Sequence, residues 1–260
     1  MRIVIKIGTS TLAHPTGHLN IRLVEELCKV VSDIKNAGHE VILVSSGAIG
    51  MGVGKLGLLT RPKDIPTKQA AAAVGQCELM YTYDKLFGEY NHTVAQLRIT
   101  GADVDHATRH ENFRNTLHRL LELGALPIIN ENDTVATEEI VIGDNDTLAA
   151  IVAKSVGADL LVLLSDIDGL YTADPHKDPN AKLISRIDAI TDAVLALGGG
   201  SAGTQGTGGM ATKLHAAQIC MASGCAMVIT NGKRPQDLYD ILEGKSVGTT
   251  FSGGVLWTNC

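Results

Sequence analysis

Three consecutive polar residues, Asp144, Asn145 and Asp146, interrupt an otherwise apolar stretch, IVIGDNDTLAA (140–150). Two carboxylates and an amide in a row suit a turn and a helix cap. They equally suit a site that holds ammonium groups and hydrogen-bond donors. Lys6 poses the same kind of choice. It lies in RIVIKIG (2–8), among Ile3, Val4, Ile5 and Ile7, where burying an unpaired ammonium is costly. Near the C-terminal end of a buried strand, a lysine can reach an anion at the sheet edge, and this reading is favoured over an exposed edge residue.

Lys213 closes the stretch GTGGMATK (206–213), in the first turn of a helix that begins near Met210. A cation there opposes the helix dipole. An anion held between the helix N-terminus and the ammonium accounts for it, and a solvated surface lysine is the plain alternative. In VSSGAIG (44–50), Ser45, Ser46 and Gly47 mark a strand-to-helix junction. Serine there caps a helix, or the same free N–H groups and the glycine admit a phosphate or carboxylate.

These residues need a scaffold, and the hydrophobic pattern supplies one. Apolar runs at 2–8, 40–47, 125–132, 159–166 and 226–232 end in glycine or small polar residues, and a last strand is expected at 247–251. Runs apolar on successive residues fit parallel strands covered on both faces. Helical patterns fill 20–36, 67–90, 106–123, 146–156, 210–223 and 235–243. The alternation predicts an α/β fold: an open, mainly parallel sheet between helical layers. Such sheets bind ligands beyond the C-terminal strand ends. Gly8-Thr9-Ser10, Ser45-Ser46-Gly47, Asn130 to Asp133 and Ser165-Asp166 all fall there. The segment 166–185 reads as a hairpin or excursion outside the main sheet, and 198–209, with its many glycines, as a loop. Helix 67–90 is apolar enough for an interface or for the core.

Bulk properties narrow the choice. The 260 residues carry a net charge of −6, against a nucleic-acid or membrane partner engaged by bulk charge. An anionic substrate therefore needs local positive charge. The five cysteines, Cys28, Cys77, Cys220, Cys225 and Cys260, form no C-x-x-C pair, which predicts reduced thiols and a cytoplasmic location. No signal peptide or membrane span is expected. GVGKLG (52–57) matches the dinucleotide fingerprint in letters, but not in its required place between strand and helix, and no phosphate-loop motif occurs. His106 and His110, four apart, lack the glutamate of a metalloprotease helix and read as a solvated face.

VIKIGTS, VSSGAIG, NENDTVA, GDNDTLAA, SDIDGLYTADP and GTGGMATK occur in that order. The set resembles the amino-acid kinase family, most closely the branch that phosphorylates the side-chain carboxylate of L-glutamate at the start of proline biosynthesis. The resemblance covers about residues 1–251, read as one kinase domain with a tail at 252–260. It implies ATP and Mg²⁺, with no dedicated protein cage for the metal. Lys6 and Lys213 then hold the phosphates, and Asp146 orients both lysines. Gly8, Thr9, Ser10 and Gly47 line the phosphate cradle, and Gly47 also borders the acceptor. Ser46, Asp133 and Asn145 bind glutamate, joined by Asn130 and Asp144. Ser165, Asp166, Thr207, Gly208, Gly209, Met210, Ala211, Thr212 and Lys213 form the nucleotide site. Feedback inhibition by L-proline and a homo-oligomer are implied too. The C-terminal accessory domain of the RNA-modification type, frequent in this branch, is not expected here. The same chemistry on acetylglutamate, aspartate, carbamate or a nucleoside monophosphate stays open. So do a non-catalytic sensor and a nicotinamide enzyme.

Overall fold

A computed structural model describes all residues except 15, 17, 136–144, 176, 200–208 and 254–260. Along the chain come β1 (Arg2–Ile7), α1 (Thr9–Leu12), α2 (Ile21–Asn36), β2 (Glu40–Ser45), α3 (Ala48–Lys55) and α4 (Ile65–Gly88). Next are β3 (Val94–Ile99), α5 (Gly101–Asp105), α6 (Ala107–Glu122), β4 (Leu126–Glu131), α7 (Asn145–Val156) and β5 (Leu160–Ser165). The last are β6 (Arg186–Ile187), α8 (Asp192–Leu197), α9 (Met210–Ala222), β7 (Ala226–Asn231), α10 (Asp237–Leu242) and β8 (Thr249–Phe251).

The strands form one eight-stranded sheet in the order β3-β4-β2-β1-β5-β7-β8-β6. All pairings from β3 to β7 are parallel, and β8 runs antiparallel to β7. β1 therefore sits at the centre, with Lys6 level with Val44 on one side and Leu163 on the other. Alternation along the strands decides what each side chain meets. Val4, Val44, Ile129, Leu163 and Ile229 pack with residues of α6, α7 and α9 in one core. Ile5, Leu43, Ile128 and Val162 pack with α2 and α4 in the other. Both faces are covered, so the central strands stay apolar at nearly every position.

Side-chain caps start two of the long helices. Asn20 accepts from the Leu23 N–H at the start of α2, and Asp64 accepts from Thr67 N–H at the start of α4, which carries proline in its first turn. α4 contributes Ala71, Ala72, Leu79, Tyr83 and Phe87 to the interior, so its apolar inner face is core.

One strand was missed, and two other readings gain detail. β3 was absent from the pattern because it is an edge strand interrupted by Gln96 and Arg98 and only half-buried. The segment 166–185 folds back on itself outside the main sheet, through the antiparallel Tyr171–Leu183 bridge, and the chain rejoins the sheet only after it, as the edge strand β6. GVGKLG lies in α3 and its C-terminal end, where Gly52 answers to packing. A Cβ there would stand 1.8 Å from the Ala71 carbonyl oxygen, and one on Gly75 would stand 1.8 Å from that of Ala48. α3 and α4 thus meet backbone to backbone. The loop expected at 198–209 falls largely outside the described residues.

This crossing sets the sign of a substitution. Alanine normally stabilises an exposed helix interior over glycine by about 1 kcal/mol. At Gly75 it must push α3 away, at an overpacking cost of about 1–3 kcal/mol or more. Gly75→Ala is expected to lower the thermal midpoint by several degrees in scanning calorimetry. Gly88→Ala, where nothing lies within 4 Å, should leave it unchanged or raise it. An equal response of the two would mean that the helices have room to separate.

Candidate active site

Lys6 follows Val4 on the strand face that α7 and α9 cover, and both helices present a charged residue to it. The Lys6 ammonium stands 2.7 Å from Asp146 Oδ1, and the Lys213 ammonium donates to Asp146 Oδ2 at 3.0 Å. Asp146 is 0% exposed, Lys213 4% and Lys6 8%. Thr212 Oγ1 lies 2.7 Å from the Gly209 carbonyl oxygen and 3.2 Å from Asp146 Oδ2, and its single hydrogen serves one of these acceptors at a time. One strand and two helix N-termini therefore converge on a single carboxylate. Burial alone would push the Asp146 carboxyl up, but the neighbouring Lys6 and Lys213 ammoniums outweigh it and hold it below the usual carboxylate range. Among the described ion pairs, two cations surround one anion, an arrangement suited to receiving a further anion.

The glycines beside this cluster keep space open. A Cβ on Gly8 would approach the Leu164 carbonyl oxygen to 3.4 Å and the Lys6 Nζ to 3.8 Å. Thr9 and Ser10 are exposed in the four-residue α1. Gly47 adopts φ 102°, a left-handed conformation that favours glycine, and it starts α3 without any side-chain cap. The capping role for the two serines is thus set aside. Ser45 Oγ pairs with Tyr83 Oη at 2.9 Å beneath the sheet, and Ser46 is left to face the strand ends.

A second polar group adjoins the first, because Asn145 precedes Asp146 in the first turn of α7. Asn145 Nδ2 donates to Ser46 Oγ at 2.7 Å and to Asn130 Oδ1 at 3.2 Å. Among the described residues, Asn145 Oδ1 is buried and has no partner. Asp133 follows at the end of β4, half-buried. Burial pushes its carboxyl above the usual range, and the nearby Arg98 guanidinium offsets only part of that rise.

On the other side, Ser165 Oγ donates to Asp166 Oδ1 at 3.1 Å, and Asp166 is exposed. Gly209, Met210 and Ala211 begin α9 beside Lys213. Asp144, Thr207 and Gly208 lie outside the described residues. His110 Nε2 meets Ser155 Oγ at 2.8 Å, which ties α6 to α7.

Two contributions went unread in the sequence. Asp168 accepts from Asn231 Nδ2 at 2.8 Å and from Tyr171 Oη at 3.2 Å, which joins the ends of β5 and β7 beside Ser165. Its signal was the stretch SDIDGLY itself. Gln76, on the inner face of α4, accepts from Asn130 Nδ2 at 2.8 Å. A lone amide in the apolar AAAAVGQCELM was the only sign of it.

The family model of the amino acid kinase family matches residues 1–231. The chain belongs to the amino acid kinase family. A glutamate 5-kinase from Listeria welshimeri is 54% identical over 255 residues, covering 96% of this chain and 92% of the relative. One from Caldanaerobacter subterraneus subsp. tengcongensis is 51% identical over 251 residues, covering 96% of this chain and 68% of the relative. In fold, the chain is similar to the UMP kinase from Bacillus anthracis, with a TM-score of 0.66 at 17% identity, covering 98% of this chain and 96% of that one. Family membership sets aside the nicotinamide enzyme.

The charge cluster has a pH signature. A carboxyl whose folded value is depressed stabilises the fold fully above its unfolded value, about 3.9, and loses that contribution as pH falls through the folded value. The gap in thermal midpoint between the wild-type protein and Asp146→Asn is therefore expected to be widest above about pH 4 and to close on further acidification. A gap that does not change with pH would contradict the ion-pair assignment.

Proposed function

We propose that this chain transfers the γ-phosphoryl group of ATP to the side-chain carboxylate of L-glutamate, giving L-glutamyl 5-phosphate and ADP, the first step of proline biosynthesis. The observation that carries the reading is the first turn of α7. Asp146 gathers two lysines there, and Asn145, one residue before, joins Ser46 and Asn130. A positive cluster for phosphates and a polar pocket for an amino acid thus share one helical turn. Relatives named glutamate 5-kinase at half identity or better support the same acceptor.

The chemistry asks little covalent work of the protein. Phosphoryl transfer needs in-line placement and neutralisation of the charge spread over the equatorial oxygens. In this reading Lys6 and Lys213 supply that charge, and Asp146 keeps the two ammoniums from separating. Gly8, Thr9, Ser10 and Gly47, with Gly209 to Lys213, line the phosphates, and Ser165 and Asp166 border the nucleotide. The acceptor carboxylate is already ionised at neutral pH, so no general base is required. The α-ammonium of glutamate pairs with Asp133 and donates to Asn145 Oδ1. The Ser46 hydroxyl, which accepts from Asn145, keeps its own hydrogen for a substrate oxygen. Mg²⁺, when bound with ATP, would supply further neutralisation of phosphate charge. Asp146 already serves two lysines, and no group of three metal-binding side chains lies together among the described residues, so phosphate oxygens and water would hold the ion. Inhibition by L-proline and self-association belong to the same proposal, on the resemblance alone. So does a cytoplasmic location, where Cys28, Cys77, Cys220 and Cys225 stay free thiols.

A coupled ADP-release assay over L-glutamate, N-acetylglutamate, aspartate, carbamate and nucleoside monophosphates tests the acceptor. L-Glutamate should give the highest kcat/KM, and no glutamate-dependent ADP release would end the proposal. Variants then separate the two halves of the turn. Asp146→Asn should lower kcat by about two orders of magnitude or more with little change in KM. Asn145→Ala and Asp133→Ala should act mainly by raising KM for glutamate. Equal, small effects from all three would leave 143–146 a turn and nothing more.

A further inference from the structure

α4 was expected to be core or interface, yet one of its buried residues is an amide. Gln76 is 4% exposed, and its Oε1 accepts from Asn130 Nδ2, itself on a residue 2% exposed. The bonds around Asn130 form a directional chain. The Glu131 backbone N–H is a donor only, and it reaches Asn130 Oδ1 at 2.9 Å. That contact fixes which end of the Asn130 amide is oxygen. Its nitrogen must then turn to Gln76, which offers a carbonyl. The same Asn130 oxygen receives Asn145 Nδ2, and Ser46 Oγ receives it too. Asn145 therefore spends its nitrogen on the protein, and among the described residues its buried oxygen has no partner.

We propose that Gln76 is a positioning residue that sets the polarity of the acceptor pocket. It acts through Asn130 to hold the Asn145 carbonyl toward the substrate, and so selects an acceptor bearing a free ammonium. The inference rests on the amino-acid acceptor proposed above. Without the Gln76 carbonyl, Asn130 Nδ2 becomes a buried donor with nothing to meet, which is costly. Any turn of the amide that relieves this donor also pulls Asn130 Oδ1 from the Glu131 N–H and from Asn145 Nδ2, so the whole set of bonds at Asn130 loosens. Asn145 is freed to present either end to the substrate, and the site no longer prefers a donor. Among the described residues Gln76 shares no hydrogen bond or ion pair with the charge cluster at Asp146, so phosphate handling should not feel its loss.

The test compares Gln76→Met, Asn130→Ala, the double variant and Gln76→Glu with wild type by steady-state kinetics, with a thermal midpoint for each. Gln76→Met is expected to raise KM for L-glutamate about fivefold to tenfold, the scale of one lost buried hydrogen bond. KM for ATP should stay unchanged and kcat within about threefold. In the double variant, KM for glutamate should be no higher than in Asn130→Ala, because the effect of Gln76 passes through Asn130. A Gln76→Met effect that multiplies onto the Asn130→Ala background, or that falls equally on ATP, overturns the proposal. Gln76→Glu keeps an acceptor oxygen toward Asn130 Nδ2 and should stay within about threefold of wild type in KM for glutamate. If Gln76→Met does not fold, this variant decides, and a tenfold rise in it overturns the inference. A wild-type protein that shows no glutamate-dependent ADP release refutes the underlying reaction. An active wild type with an unaltered Gln76→Met refutes only the role of Gln76.

Discussion

The structure is organised around one carboxylate that water does not reach. Asp146 is wholly buried and could not persist there as an anion without compensation. The compensation comes from two lysines distant in sequence, one on the central strand and one on α9. Neither lysine could be buried alone, for the same reason. The three groups therefore license one another, and their joint burial holds β1, α7 and α9 in one relative position. A strand that would otherwise be plain core and two helix N-termini become parts of one electrostatic unit.

The sheet then sorts the rest of the chemistry by side-chain direction. Lys6 emerges on the face that α7 and α9 cover, in step with Val4. Ser45 and Asn130 emerge on the opposite face, in step with Leu43 and Ile128, and meet Tyr83 and Gln76 of α4. Charged groups thus gather on one side of the strand ends, and neutral hydrogen-bonding groups are braced from the other. The first turn of α7 reaches both. In a chain of net charge −6, the buried ammoniums of Lys6 and Lys213 place local positive charge where the phosphates would lie.

Much of this was legible in the sequence, and the parts that were not have physical reasons. Continuous apolar runs reported the central strands because those strands are covered on both faces. Lys6 stood out because the residues around it, Ile3, Val4, Ile5 and Ile7, are all apolar. β3 escaped because an edge strand with polar residues looks like a loop. Asp146 announced a polar site, but its two partners lie 140 and 67 residues away in sequence, so only the fold could join them. Gln76 was hidden for the opposite reason. A single amide in an apolar helix carries no periodic signal, and its meaning depends wholly on the Asn130 that the fold places opposite it.

The crossing of α3 over α4 bears on how such an enzyme changes over evolutionary time. Pockets usually drift in size when the side chains behind them are trimmed or enlarged, one at a time. At Gly52 and Gly75 no side chain stands between the two backbones, so that gradual route is closed. α3 begins directly after Ser46 and Gly47, and its placement is inherited as a unit with α4. Descendants of this chain can tune their choice of acceptor more freely through the turn after β4, where Asp133 and the exposed Val135 lie, than through the wall behind Ser46. The wall records ancestry, and the turn is where selection has room to act.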